Sequence, residues 1–247
     1  MTFVTRSRIR WSFPSDTASA RSMLGSCANR SVAFVVPACG TSSWPYRLGM
    51  TFAATPVLKN ARVTLESLGL DHSDDLAIAA EKDDLWRTWY THIPAPNGMT
   101  GEIERRLSLQ KEGRLAPWAI IDGGSGRAVG MTTYCNLDPA NRRLEIGSTW
   151  LSRASQRTGV NTAAKLLLLT RAFEELDCIA VEFRTHWHNH QSRTAIENLG
   201  AKQDGVLRNH TLFENGTVRD TVVFSVIDNE WPTVKFALTD RVNRAAS

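Results

Sequence analysis

The residues best placed to do chemistry lie in one stretch, Glu145-Ile-Gly-Ser-Thr-Trp-Leu-Ser-Arg-Ala-Ser-Gln-Arg-Thr-Gly-Val-Asn-Thr-Ala-Ala-Lys165. Strand-forming residues end near Leu151, a short polar loop follows, and a helix starts near Gly159. The first amides of a helix have no internal partner and sit at its positive end. Gly159 lets a ligand approach the backbone, and Arg153 and Arg157 add positive charge. Those are the parts of a diphosphate cradle, although an ordinary turn before a helix uses the same residues. Neither G-x-x-x-x-G-K-[ST] nor G-x-G-x-x-G occurs, so the triphosphatase and dinucleotide readings lack their motifs.

Three further groups invite chemistry. His186, His188 and His190 would share one face of an extended strand and could bind a metal. No carboxylate or cysteine follows at ligand spacing, so no metal is expected, and lining of a site mouth or help with proton transfer is the alternative. Trp86, Trp89 and Tyr90 form an aromatic cluster that fits either a pocket wall or a core cap at helical spacing. Cys27, Cys39, Cys135 and Cys178 lie far apart with no C-x-x-C pair. A disulfide scaffold is therefore not expected, nothing supports a thiol nucleophile, and a reducing cytoplasm is the expected location.

The elements that must position these residues follow from pattern. Arg62–Glu66 alternates as a strand, and Asp71–Glu81 reads as a helix. Thr100–Glu112 reads as a second helix with Thr100 as N-cap and Glu102 and Glu104 at its positive end. Two strands, 117–121 and 128–135, flank the turn Asp122-Gly-Gly-Ser-Gly126, and 144–151 is a third. Helix 162–176, strand 179–186 and helix 191–199 come next. Strands 206–213 and 218–227 flank Asn215-Gly216, a dipeptide suited to a tight hairpin. A long helix between two strands implies one parallel crossover in an otherwise antiparallel sheet. The fold class is a mixed α/β (α+β) domain.

Charge divides unevenly. Residues 1–49 hold six arginines and one acid, a charge of +5 within a total of +4, so the body is near neutral. A body without surplus charge lacks the footprint of a phosphate-backbone binder, and nucleic acid is not expected as a partner. No run of about eighteen apolar residues exists to span a membrane. Residues 1–49 are expected to be a disordered basic leader, read as a transit peptide or as untranslated sequence before a start at Met50. A domain over 50–232 and a C-terminal tail over 233–247 complete the expected organisation.

Several segments together resemble the GNAT N-acetyltransferase superfamily. Gln156-Arg-Thr-Gly-Val-Asn161 resembles its Q/R-x-x-G-x-G/A pyrophosphate loop, with Asn161 where a small residue is usual. Asn189-His-Gln-Ser192 followed by Leu199-Gly-Ala201 resembles the family's last helix. Leu58-x-x-x-Arg62-Val63-x-Leu65, Gly205-Val-Leu-Arg208, Arg219-Asp-Thr221 and Glu230-Trp-Pro232 resemble the RimJ/RimL-type branch.

The resemblance implies a mostly antiparallel sheet with one parallel, splayed strand pair, and acetyl-CoA in the gap. It implies that backbone of Trp150 and Leu151 bonds the pantetheine, with Gly147 fitting a bulge. Gln156, Arg157, Thr158, Gly159, Val160 and Asn161 would hold the diphosphate, and Asn189 the arm. It places Glu145 as a base, against a carboxylate paired with Arg142, Arg143 or a cross-strand arginine. It places Ser192 as the acid for the departing sulfur, against a helix-start serine bonding its own backbone. Trp86, Trp89 and Tyr90 would build the acceptor pocket. The implied reaction is direct attack by a primary amine in a ternary complex. A protein N-terminus or small-molecule amine is favoured over lysine, because an α-amine has a pKa about 2.5 units lower. The alternatives are an idle acyl-CoA sensor of the same fold and a ribosome- or RNA-binding protein using the leader. The exposed final hairpin leaves dimerisation open.

Overall fold

A computed structural model describes residues 51–213 and 215–244. The expected leader over 1–49 lies outside the described residues. The strands are β1 (Leu58–Lys59), β2 (Val63–Ser67), β3 (Ala116–Asp122), β4 (Ala128–Asp138), β5 (Arg143–Leu151), β6 (Ala180–His186), β7 (Lys202–Leu212) and β8 (Val218–Ile227). The helices are α1 (Ser73–Glu81), α2 (Met99–Lys111), α3 (Val160–Thr170), α4 (His190–Glu197) and α5 (Trp231–Arg244). The strands form one sheet in the order β1-β2-β3-β4-β5-β6-β8-β7. Every pairing is antiparallel except β5 with β6, the pair joined by the crossover helix α3.

Strand alternation divides the core between the two faces. On one face Leu65, Trp118, Ile120, Tyr134 and Leu144 pack with Ala164, Leu168 and Leu169 of α3. On the other, Met131 and Trp150 pack with Leu76 and Ala80 of α1 and Met99 and Ile103 of α2.

Two expectations are corrected. Helix α2 begins at Met99 with Gly98 as N-cap, because the 3-10 turn Pro96–Gly98 has already wound the backbone into it. Thr100 instead bonds Ser73 through the two hydroxyls at 2.8 Å, and Glu102 turns inward to Arg105 and Arg106. Those two arginines hold the buried Glu102 carboxyl down at about 2. Residues 233–244 are not a tail but part of α5, which buries Trp231, Val234 and Leu238 in the larger core. Pro232 sits in its first turn, where a missing N–H costs no helical bond. Trp231 stacks on Phe173 at 5.2 Å and donates its indole N–H to Glu174 at 2.8 Å.

Candidate active site

β5 and β6 pair only at Arg143↔Ala180, Leu144↔Val181 and Glu145↔Glu182. Beyond that point β5 continues to Leu151 along β4, and β6 continues to His186 along β8. The two parallel strands therefore part into a gap. In β5 the register with β4 slips between Trp150 and Gly147, and Ser148 takes φ 46°, as in a bulge. A side chain at Gly147 would stand 2.7 Å from Glu145 Oε1, so glycine there leaves room for that carboxylate.

The loop after β5 runs to the start of α3. Gly159 is the N-cap with φ 90°, a conformation that glycine reaches without strain. The first α3 bond runs from Ala163 N–H to the Gly159 carbonyl at 2.9 Å. The N–H groups of Arg157, Thr158, Gly159, Val160, Asn161 and Thr162 have no acceptor among the described residues. They adjoin a cleft of about 570 Å³ lined by Arg157, Thr158, Gly159 and Thr162, and by Arg241 and Arg244 of α5. Gln156 is committed inside the protein: its Nε2 donates to the Leu151 carbonyl at 3.0 Å, and its Oε1 accepts from Gln191 at 3.0 Å. It is a strut between β5 and α4.

Glu145 stands at the apex of the gap and is buried. Its Oε2 accepts from Asn136 Nδ2 at 2.7 Å and lies 3.6 Å from Arg184 Nε. Burial raises its pKa, against the opposing pull of Arg184 and Asn136. Of the arginines weighed as partners, Arg142 is drawn to Asp177 and Arg143 to Glu182, so the cross-strand one remains. Asn189 is the N-cap of α4, its Oδ1 accepting from the Ser192 backbone N–H at 3.0 Å. Ser192 is half-buried, and its hydroxyl makes no hydrogen bond among the described residues.

The aromatic cluster divides. Trp89 packs edge-on against His186 at 5.2 Å and lies 5.9 Å from His188, and Tyr90 is 6.3 Å from His186. Trp86 stays outside this group, with the Arg87 guanidinium over its ring at 4.9 Å. The three histidines fall in different elements, His186 ending β6, His188 in the turn and His190 opening α4, but the His186 and His188 rings are not splayed apart: their centroids lie 5.5 Å from each other. Among the described residues no His, Cys, Asp and Glu group is arranged to hold a metal. Burial pushes the Cys135 thiol up to about 11 and that of Cys178 to about 12, far from an activated thiolate.

One residue escaped the sequence reading. Lys165, on the sheet side of α3, is buried and donates to Thr132 at 3.1 Å and Thr149 at 2.6 Å, bracing β4 and β5 beside the bulge. A lone lysine within Val160–Leu169 was the available signal. Burial lowers its pKa from the ordinary lysine value to about 7. Between that value and the unfolded lysine value near 10.4, the unfolded chain binds the proton and the folded chain does not. Stability therefore rises with pH in this window, by up to about 1.4 kcal/mol per unit, and the contribution is flat below it. In Lys165→Met the two threonine hydroxyls still bond each other at 2.7 Å. The variant is expected to be at least as stable at pH 7 and to lose that rise. Urea unfolding at pH 7 and 9 checks this, and equal slopes in both proteins would contradict a lysine that loses its proton on burial.

Residues 62–202, more than half of the chain, match the model of the Acetyltransferase (GNAT) domain. The Bacillus subtilis protein named "Putative ribosomal N-acetyltransferase YdaF" is 37% identical over 106 residues, 43% of this chain and 57% of that relative. The match thus spans little more than half of that protein's length. A GCN5-related N-acetyltransferase from Brucella melitensis superposes with a TM-score of 0.70 at 30% identity, over 76% of this chain and 86% of that one. Mycobacterium smegmatis RimJ, solved in complex with CoA-disulfide, superposes with a TM-score of 0.67 at 19% identity, over 78% of this chain and 97% of that one, a likeness of fold. Splayed parallel strands, a bulged β5, a loop of unpaired amides and this family match agree: the chain belongs to the GNAT acetyltransferase family.

Proposed function

We propose that the protein transfers the acetyl group of acetyl-CoA to a primary amine, and that its acceptor is a protein N-terminus. The observation that carries this reading is the continuity of the β5–β6 gap with the unpaired amides from Arg157 to Thr162. The gap exposes strand-edge groups to an amide-bearing arm, which burial would otherwise leave unbonded. The amides and the helix start suit a diphosphate, and Arg157 and Arg241 add positive charge to the same cleft. The sequence likeness to the Bacillus subtilis relative, by its name a ribosomal N-acetyltransferase, supports an N-terminal amine on a ribosomal protein.

Bound there, acetyl-CoA supplies an activated acetyl thioester. Asn189, its oxygen engaged in the cap, would offer its amide nitrogen to the arm, and the backbone of Trp150 and Leu151 would hold the arm from β5. Glu145 takes the proton from the attacking amine, directly or through water, and its raised pKa makes it a stronger base than an exposed glutamate. The hydroxyl of Ser192 stands at the start of α4, where it can give a proton to the departing sulfur. Trp89 and Tyr90, with His186, wall the acceptor side.

Thermal unfolding of the full chain with and without acetyl-CoA tests the cofactor. At about a hundred times its dissociation constant a ligand stabilises the native state by roughly 2.7 kcal/mol, a shift of several degrees. Thiol release in the presence of an amine then separates an enzyme from an idle acyl-CoA sensor. Absence of a shift in a protein that unfolds cooperatively would overturn the proposal.

A further inference from the structure

The acceptor side of the gap holds three buried N–H groups that bond nothing among the described residues: Trp150 Nε1, His186 Nε2 and Arg219 Nε. They come from β5, β6 and β8, so no irregularity of a single element accounts for them. All three stand on the face that carries Glu145. Trp150 packs with α1 and α2 on that face. Arg184, which approaches Glu145, and His186 are two apart on β6 and share a side. Thr221 lies opposite His186 in the β6–β8 pair, and Arg219 is two residues along from it.

Each of these groups is a donor. His186 Nδ1 accepts from the His188 backbone N–H at 3.0 Å, so its proton is on Nε2. His186 and Trp150 are 3% and 6% exposed, and a buried donor without a partner costs free energy until a ligand supplies an acceptor. Arg219 adds charge: it is close enough to Glu145, Arg184 and His186 to act on each electrostatically, yet it makes no ion pair among the described residues. The carboxylates around Arg219 and His186 are already engaged, Asp220 by Arg208 and the Asn209 backbone N–H. Glu145 is held by Asn136 and Arg184, and Glu182 by Arg143 and Arg184. None of these carboxylates bonds the three donors, which remain without an acceptor among the described residues.

We infer that the acceptor substrate carries a carboxylate beside its reactive amine, and that Arg219 with His186 recognises it. The inference rests on the acetyltransferase reading and narrows its substrate class. A guanidinium there does two things at once. It binds the carboxylate through charge-assisted hydrogen bonds. It also disfavours the protonated form of the neighbouring amine, and only the neutral amine attacks. The carboxylate has two available sources, the side chain of an acidic N-terminal residue or the α-carboxylate of a free amino acid.

The experiment compares matched acceptors on the full chain with saturating acetyl-CoA, following thiol release. One arm pairs a peptide beginning with Asp with the same peptide beginning with Asn. The other pairs a free amino acid with its amide. Loss of one hydrogen bond to a charged group corresponds to roughly 10- to 100-fold. The acid member of at least one pair is expected to exceed its amide by that factor in kcat/KM, and the pair that does so names the source. In Arg219→Gln the ratio should fall to near one, and in Arg219→Lys it should recover in part. The comparison within the unaltered protein needs no variant to fold. Ratios near one in both pairs would overturn the inference while leaving the acetyltransferase intact, as would a ratio that persists in Arg219→Gln. Acetyl-CoA binding with no turnover of any amine would overturn both readings.

Discussion

Replacing Glu145 with glutamine is expected to lower kcat by about a hundredfold to a thousandfold while the affinity for acetyl-CoA changes by no more than about threefold. The size is that of losing a positioned general base. Glutamine can still accept from Asn136 through its amide oxygen, and Arg184 keeps Glu182 at 2.8 Å, so the apex of the gap should stay folded. The pH dependence carries the sign. Burial raises the pKa of Glu145, so its basic form is lost on acidification earlier than that of an exposed glutamate. In the unaltered protein kcat should fall as pH drops through that raised value, and the glutamine variant should lack this limb. A variant that retains kcat within about threefold would identify Glu145 as a structural carboxylate between Asn136 and Arg184, leaving positioning of the reactants as the main source of rate. Steady-state kinetics from pH 5 to 9, with a binding measurement for acetyl-CoA, separates these outcomes.

How much of this arrangement was readable in advance depended on how local its causes are. The turn Asp122–Gly126 and the dipeptide Asn215-Gly216 encode their hairpins in neighbouring residues, and both hairpins are present. The crossover followed from a long helix between two strands, and with it the parallel β5–β6 pair. The loop from Gln156 to Asn161 is legible because Gly159, the two arginines before it, Arg153 and Arg157, and a helix start lie close together in the chain. Where the cause is distant, the sequence was silent. Nothing near His186 indicates that Trp89 and Tyr90, about a hundred residues earlier, close over its ring. The two uses of the Gln156 amide depend on Leu151 and on Gln191 of α4, and only the fold brings those together. Helix α5 is a different case. Trp231, Val234 and Leu238 recur at helical spacing, but Pro232 reads as a stop unless it is recognised as a first-turn residue. Missing that helix also hid Arg241, which lines the cleft beside Arg157, Thr158, Gly159 and Thr162 from the far end of the chain.

Because the amide cradle depends on one backbone conformation, its largest test is a single substitution. Gly159 has φ 90°, and a β-branched residue there resists that region by about 1–2 kcal/mol. A Cβ at this position meets the Arg62 side chain at 3.5 Å, an ordinary contact, so the strain of a substitution there lies in the backbone. Gly159→Val should therefore fold with a transition temperature lower by several degrees. Its effect on the ligand should be larger. Relaxing φ would swing the amides of Gly159 and Val160 from their present directions, and the added Cβ would stand against the Arg62 side chain beside them. Losing two hydrogen bonds to a charged group, at about 1.5–3 kcal/mol each, raises the dissociation constant of acetyl-CoA by at least about a hundredfold. Gly159→Ala, which lacks the β-branch, should fall between the two. Calorimetric titration of acetyl-CoA into the three proteins checks the order. If valine binds as well as glycine, the unpaired amides from Arg157 to Thr162 are no more than the frayed start of a helix, and the cofactor must be held elsewhere along the gap. If affinity falls in that order while each protein unfolds in one cooperative step, then the left-handed turn at Gly159 is what converts the end of β5 and the start of α3 into a diphosphate site.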